Sequence, residues 1–200
     1  MNLTELSTIL SLFDHCEKLD MLKNTVTVYG TIAKFFHWLM AVLIIGMFMV
    51  AFTMINIPAS HFSDILFSLH KATGLLLFGL LILRLAWRFI NKTPKLPPSI
   101  PLWQRQLAKF NITALYLLML TMPLTGFFMS TFGDHAVSFY GIFTIPPLAD
   151  NQLGSKFFAK THEILAYLLI ASFTLHVIGA FYHPVLQRMW ILPKNRVNGE

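Results

Sequence analysis

Polar positions are so sparse along four stretches of the chain that no helix drawn through them has a continuous hydrophilic face. The stretches run over 32–57, 65–90, 110–132 and 160–183. A helix that is apolar all round is buried in protein or in lipid. About 20 apolar residues cross a hydrocarbon core roughly 30 Å thick, and each stretch is long enough. The breaks fall where the chain cannot continue a helix. Pro58 closes the first stretch, the TPKLPPSIP segment at 93–101 follows the second, and Pro146 and Pro147 mark the third connection. Pro123, followed by Gly126, lies inside the third stretch and predicts a kink of the kind membrane helices tolerate. The pattern therefore predicts an all-α fold, an integral membrane four-helix bundle.

Composition agrees. Of 200 residues, 56% are hydrophobic and 12% charged, against about 25% charged in a soluble domain. Mean hydropathy is +0.63. Too few polar side chains exist to cover a water-soluble surface, so the lipid bilayer is the expected partner. The formal net charge of +6 would suggest nucleic acid in a soluble protein. In a membrane protein it suggests basic loops on one side, and no nucleic-acid partner is expected.

The basic residues give an orientation. Twelve of the 15 lysines and arginines fall on the side that holds the two termini. Lys71, Lys156 and Lys160 fall on the other. By the positive-inside rule both termini are cytoplasmic, and the second and fourth helices begin at the outer face. Residues 1–29 read as an N-terminal cytoplasmic extension. It lacks the pattern of a signal peptide, no function is expected of it, and Met21 offers an alternative start. Residues 30–193 form the four-helix domain and 194–200 a cytoplasmic tail.

Eight histidines remain to be explained. An ionisable group within a span is costly and marks a candidate site. His37, His70, His162 and His176 lie in or at the mouths of spans, whereas His15, His61 and His135 fall in the tail or loops and read as solvated. His37 opens the first span on the inner side, and His70 opens the second on the outer side. His162 opens the fourth, also outside. His176 follows it by 14 positions, about 21 Å along a helix with a residual rotation of about 40°. One stripe of the fourth helix thus carries two histidines, one per leaflet. His162 matches His70 in depth, and His176 matches His37. Zinc needs ligands that converge on one point, and these lie at two. Two levels of paired neutral imidazoles suit the axial ligation of two b-type haem irons. Histidines that merely bond neighbouring helices are the structural alternative.

The single cysteine, Cys16, narrows the cofactor further. It excludes an intrachain disulfide, and the absence of C-x-x-C-H excludes a c-type haem. Thiolate-held iron–sulfur and zinc sites are excluded as well.

Around the histidines, Ala41, Gly74, Ala166 and Ala180 each follow one by four positions, on the same face. They leave room for a flat porphyrin, or else serve ordinary small-residue packing. Arg84 follows His70 by 14 positions and could fork onto a haem propionate or anchor the inner interface. Arg88, and Lys71 at the outer end, carry the same two readings. His183, two turns past His176, could hand protons to a quinone or simply reach the headgroups. Most of the aromatic residues near span ends, among them Phe35, Trp38, Trp87 and Trp103, read as an interfacial belt.

The segments KFFHW (34–38), LHKATG (69–74), ALYLLMLTMPLTG (114–126) and KTHEILAY (160–167), with the later His176, resemble the bacterial cytochrome b561 family over about residues 28–193. The resemblance implies four helices in the bacterial inner membrane, with the first and fourth ligating one b haem and the second and fourth the other. It is closest to members that oxidise superoxide, and so implies a superoxide:ubiquinone oxidoreductase. Electrons would enter from superoxide at the periplasmic face, aided by Lys71, Lys156 or Lys160, and reach ubiquinone near His183 and Arg84. Some members have a histidine early in the third helix, where this chain reads FNITALY. Two rivals stay open: a cytochrome b subunit linking a periplasmic dehydrogenase or hydrogenase to quinone, docked through the loop at 133–160, and a haem-free transporter or structural membrane protein.

Overall fold

The computed structural model describes residues 21–95, 100–182 and Met189. Four helices account for most of them: α1 Thr31–Asn56, α2 His61–Ile90, α3 Leu102–Phe132 and α4 Gln152–Tyr182. All four are long and apolar enough to cross a membrane. The short link between α1 and α2 puts one end of the bundle beside the α3–α4 connection, here the hairpin end. The start of α1 and the far end of α4 define the terminal end.

The helices exceed the apolar stretches chiefly at their starts. α2 begins at His61 rather than residue 65, α3 at Leu102 rather than 110, and α4 at Gln152 rather than 160. Hydropathy marks only what hydrocarbon covers. Residues such as Gln104, Arg105 and Lys109 are good helix formers and carry α3 on through the headgroup layer. His61 consequently opens a helix instead of lying in a loop, although it is exposed as expected. The start of α2 is fixed by a capping box. Ser60 Oγ accepts from Ser63 N (3.2 Å), and Ser60 N donates to Ser63 Oγ (3.0 Å). α3 runs through Pro123 as one helix.

One element was not expected. The α3–α4 connection carries an antiparallel hairpin, β1 Val137–Phe139 paired with β2 Phe143–Ile145. Tyr140 (φ 49°) and Gly141 (φ 77°) form its turn, closed by Ile142 N donating to Phe139 O at 2.9 Å. Positive φ at both centres is the type I′ geometry that matches strand twist. The two strands are too short to show as an alternating pattern in a loop that also holds Pro146 and Pro147. The hairpin folds back onto α2. Lys71 Nζ donates to Ala136 O at 3.0 Å, and Thr73 Oγ1 shares a hydrogen bond with Tyr140 OH at 2.8 Å.

Packing between the helices is uneven. α3 and α4 pack most closely. Ser155 Oγ donates to Met129 O, Asn111 Nδ2 donates to Ser172 O, and the rings of Phe128, Phe132 and Phe158 cluster between them. α1 packs on α2, and α2 on α3. The backbone of α4, by contrast, stands off from α1 and α2. Few side chains are fully buried, Met40, Leu81 and Thr131 among them. Large apolar residues such as Phe89 (83% exposed) and Phe181 (75%) face outward, a surface suited to lipid and not to water.

Candidate functional site

The space between α4 and the α1–α2 pair is bridged at two levels by histidines. Near the terminal end, the rings of His37 on α1 and His176 on α4 have centroids 6.0 Å apart, with planes crossed at 67°. Near the hairpin end, His70 on α2 and His162 on α4 are 6.3 Å apart, crossed at 78°. Between the levels, Phe48 meets Phe173 edge-on at 5.6 Å. The structure thus brings together the four histidines in the two pairs that helix depth assigns.

These separations can be tested against the group they suggest. Two imidazole nitrogens at roughly 2 Å from one metal ion, each roughly 1.1 Å from its ring centre, place the centroids about 6 Å apart. Both pairs meet that value. Directly hydrogen-bonded imidazoles would lie closer, about 5 Å between centroids. The backbone of α4 stands off from α1 and α2 at both levels, and beside the His70–His162 pair the α2 surface is open. At Gly74, one turn past His70, an added Cβ would meet only Met47 Cε, at 3.9 Å. No group of three or more histidines, cysteines or carboxylates converges on a point among the described residues, so the pairs do not merge into one metal cluster.

The surroundings differ between levels. His162 leans on α3, where its Nδ1 lies 3.1 Å from Met122 O and 3.1 Å from Thr125 Oγ1. A carbonyl oxygen only accepts, so Nδ1 carries the proton and Nε2 keeps a free lone pair, the state a metal needs. Gly126 permits the approach, since a Cβ there would lie 2.9 Å from His162 Cε1. His70 Nδ1 is buried with no hydrogen-bond partner among the described residues. At the other level Arg84 Nη2 donates to His37 Nδ1 at 3.1 Å, and Arg84 Nη1 to Met40 Sδ at 3.9 Å. A guanidinium only donates, so here the neutral His37 ring carries its proton on Nε2. An Nε2–metal bond would require that proton to move to Nδ1 and Arg84 to turn from it. The guanidinium groups of Arg84 and Arg88 both lie against the Tyr116 ring, at 5.8 and 5.5 Å.

Other expected site residues fare differently. Lys71 is held by Ala136 O at the hairpin's base, and Lys160 pairs with Glu163 at 2.9 Å. That carboxylate offsets the attraction Lys160 was expected to exert on an anion. Lys156 and His135 are exposed. His183 and His15 lie outside the described residues, as do Arg188 and the tail at 194–200. Sequence reasoning missed Tyr116, Thr125, Thr73 and Tyr140. Pro123 and Gly126 were read only as a kink. A threonine and a glycine beside a helix-interior proline were the one available signal.

A four-span membrane protein with a di-histidine site at each of two depths belongs to the class of membrane b-type cytochromes. Comparison narrows the class. The family model described as prokaryotic cytochrome b561 matches residues 28–194. The chain is 31% identical over 169 residues to cytochrome b561 homolog 2 of Escherichia coli strain K12, covering 82% of this chain and 89% of that protein. The chain belongs to the bacterial cytochrome b561 family. It is accordingly a haem b electron-transfer protein integral to the inner membrane, and the haem-free alternative falls away.

Proposed function

We propose that the protein binds two b haems per chain and works as a superoxide:ubiquinone oxidoreductase. The observation that supports the two-haem part is the repeated histidine spacing, 6.0 and 6.3 Å at two levels. His37 and His176 would hold one haem, and His70 and His162 the other. Each haem supplies a reversible one-electron couple. The residues supply the rest. The histidines fix the irons at two depths, the stand-off of α4 gives room for the rings, and the apolar spans exclude water between them. Arg84 places a cation at the level nearer the terminal end.

The substrate part rests on the family resemblance. Each superoxide gives one electron at the hairpin face and leaves as dioxygen. Two such electrons with two protons convert one ubiquinone to ubiquinol within the membrane. His183 and Arg84 are the groups proposed for the quinone end, and Lys71 and Lys156 for the superoxide end. A docked periplasmic dehydrogenase or hydrogenase is the second reading. Exposed apolar residues of the α3–α4 connection favour it, Ile142 beside the hairpin turn (76% exposed) and Leu148 beyond β2 (55%).

The test is a pyridine-haemochrome assay on purified protein, followed by superoxide addition with ubiquinone present. Two haems per chain and prompt bleaching of ubiquinone are expected. One haem per chain would sink the two-pair scheme. Full loading without reduction by superoxide would transfer the case to the docked-dehydrogenase reading.

A further inference from the structure

Among the described residues, His162 is the only one of the four paired histidines whose ring nitrogen donates to a neighbouring helix backbone. Three features of about one turn of α3, at Met122, Thr125 and Gly126, receive it. Met122 O accepts from His162 Nδ1 at 3.1 Å. Thr125 Oγ1 lies 3.1 Å from the same nitrogen and donates its own proton to Met122 O at 2.9 Å, so it too accepts from the ring. Gly126 leaves the space in which the ring lies, where a Cβ would stand 2.9 Å from Cε1. Thr125 is itself buried, 8% exposed, so water does not compete for these bonds.

We propose that the Met122–Gly126 segment is a positioning element that fixes His162 as an iron ligand and sets the hairpin-end haem site at a lower reduction potential than the terminal-end site. This rests on the two-haem reading above. An acceptor on the distal N–H makes an imidazole a more basic ligand and so favours ferric iron. Second-shell hydrogen bonding of this kind is one of the levers a protein has on haem potential. The other pair meets the opposite influence. Arg84, a permanent cation, lies 3.1 Å from His37 Nδ1, and a positive charge in a low-dielectric interior opposes the extra charge of ferric iron. One electron passing from the hairpin end to the terminal end oxidises the first iron from ferrous to ferric. It reduces the second from ferric to ferrous, and no bond is made or broken. The gradient drives electrons in that direction.

The experiment is an optical redox titration of the haem-loaded protein with EPR of the oxidised form, on wild type, Thr125→Val, Thr125→Ser and Gly126→Ala. The His37→Ala variant, left with the hairpin-end pair, assigns the potentials. In wild type the hairpin-end site is expected to be the harder to reduce. Thr125→Val should lower its ferric-to-ferrous ratio about threefold at fixed poise and leave the other site unmoved. Thr125→Ser should restore it. Gly126→Ala should change the EPR signal of that site alone, because the ring must turn. The inference is overturned if the hairpin-end site is the easier to reduce, if Thr125→Val moves neither site, or if it moves both equally. A wild-type stoichiometry of one haem per chain would instead overturn the two-haem reading on which it stands.

Discussion

The four paired histidines fall into two groups by what their removal does. Under the proposed two-haem scheme, His37→Ala or His176→Ala should take the haem content from two per chain to one, and so should His70→Ala or His162→Ala. The two groups of variants should lose different haems, distinguishable by potential. The crossed ring planes, 67° and 78°, add a spectroscopic expectation. Perpendicular imidazoles leave the iron d orbitals nearly degenerate, so both ferric sites should give strongly anisotropic low-spin EPR signals; a rhombic signal from either would show that its ligand planes are parallel. At this scale the sequence was informative about which histidines matter and silent about what holds them. Their positions on helices follow from counting residues. Met122 O, Thr125 and Gly126 reach His162 across a helix interface, and no spacing within one helix reports that.

At the scale of elements, the hairpin is the part the pattern did not contain. It is pinned by the Thr73–Tyr140 hydrogen bond, and it keeps Tyr140 in left-handed backbone that a non-glycine residue adopts at a cost of roughly 1–2 kcal/mol. Val137, 3% exposed, anchors β1 beneath it. Tyr140→Phe removes the hydroxyl and keeps the strain, so it should destabilise the hairpin by about 1 kcal/mol. Hydrogen exchange of amides 137–145 should accelerate several-fold while haem content stays at its wild-type value. The four helices, in contrast, were legible almost completely, because a span in lipid must satisfy its backbone internally and must be apolar for its whole length. Only their starts were misjudged, where polar residues continue α2, α3 and α4 beyond the hydrocarbon.

At the scale of the whole molecule, charge is the organising feature. Among the described residues the terminal end carries Lys23, Lys34, Arg84, Arg88, Lys92, Lys95, Arg105 and Lys109, while Asp64, Asp134, Asp150 and Glu163 all lie towards the hairpin end. Topology reporters should therefore place the C-terminus in the cytoplasm and a fusion at residue 148 in the periplasm; the reverse would contradict the orientation and, with it, superoxide entry from outside. The family match begins at residue 28. A chain started at Met21 should therefore insert and bind haem as the full chain does, by pyridine haemochrome. Two lysines at the hairpin end are engaged by Ala136 O and Glu163; under the proposed superoxide activity, Lys156→Gln should therefore slow turnover more than Lys160→Gln, with the difference vanishing at high salt.

The sequence by itself determined that this chain is a four-span membrane protein and that its fourth helix carries two histidines on one stripe, 14 residues apart. Helix geometry and the hydrophobic thickness of a bilayer are fixed quantities, and residue counts convert directly into depth. The tertiary structure decided how far α4 stands from α1 and α2, which pairs close to about 6 Å, and which neighbours each ring meets. Those depend on how side chains of different helices interlock. Sequence periodicity records which face of a helix is apolar, and in lipid nearly every face is, so the pattern carries little information about which helices meet.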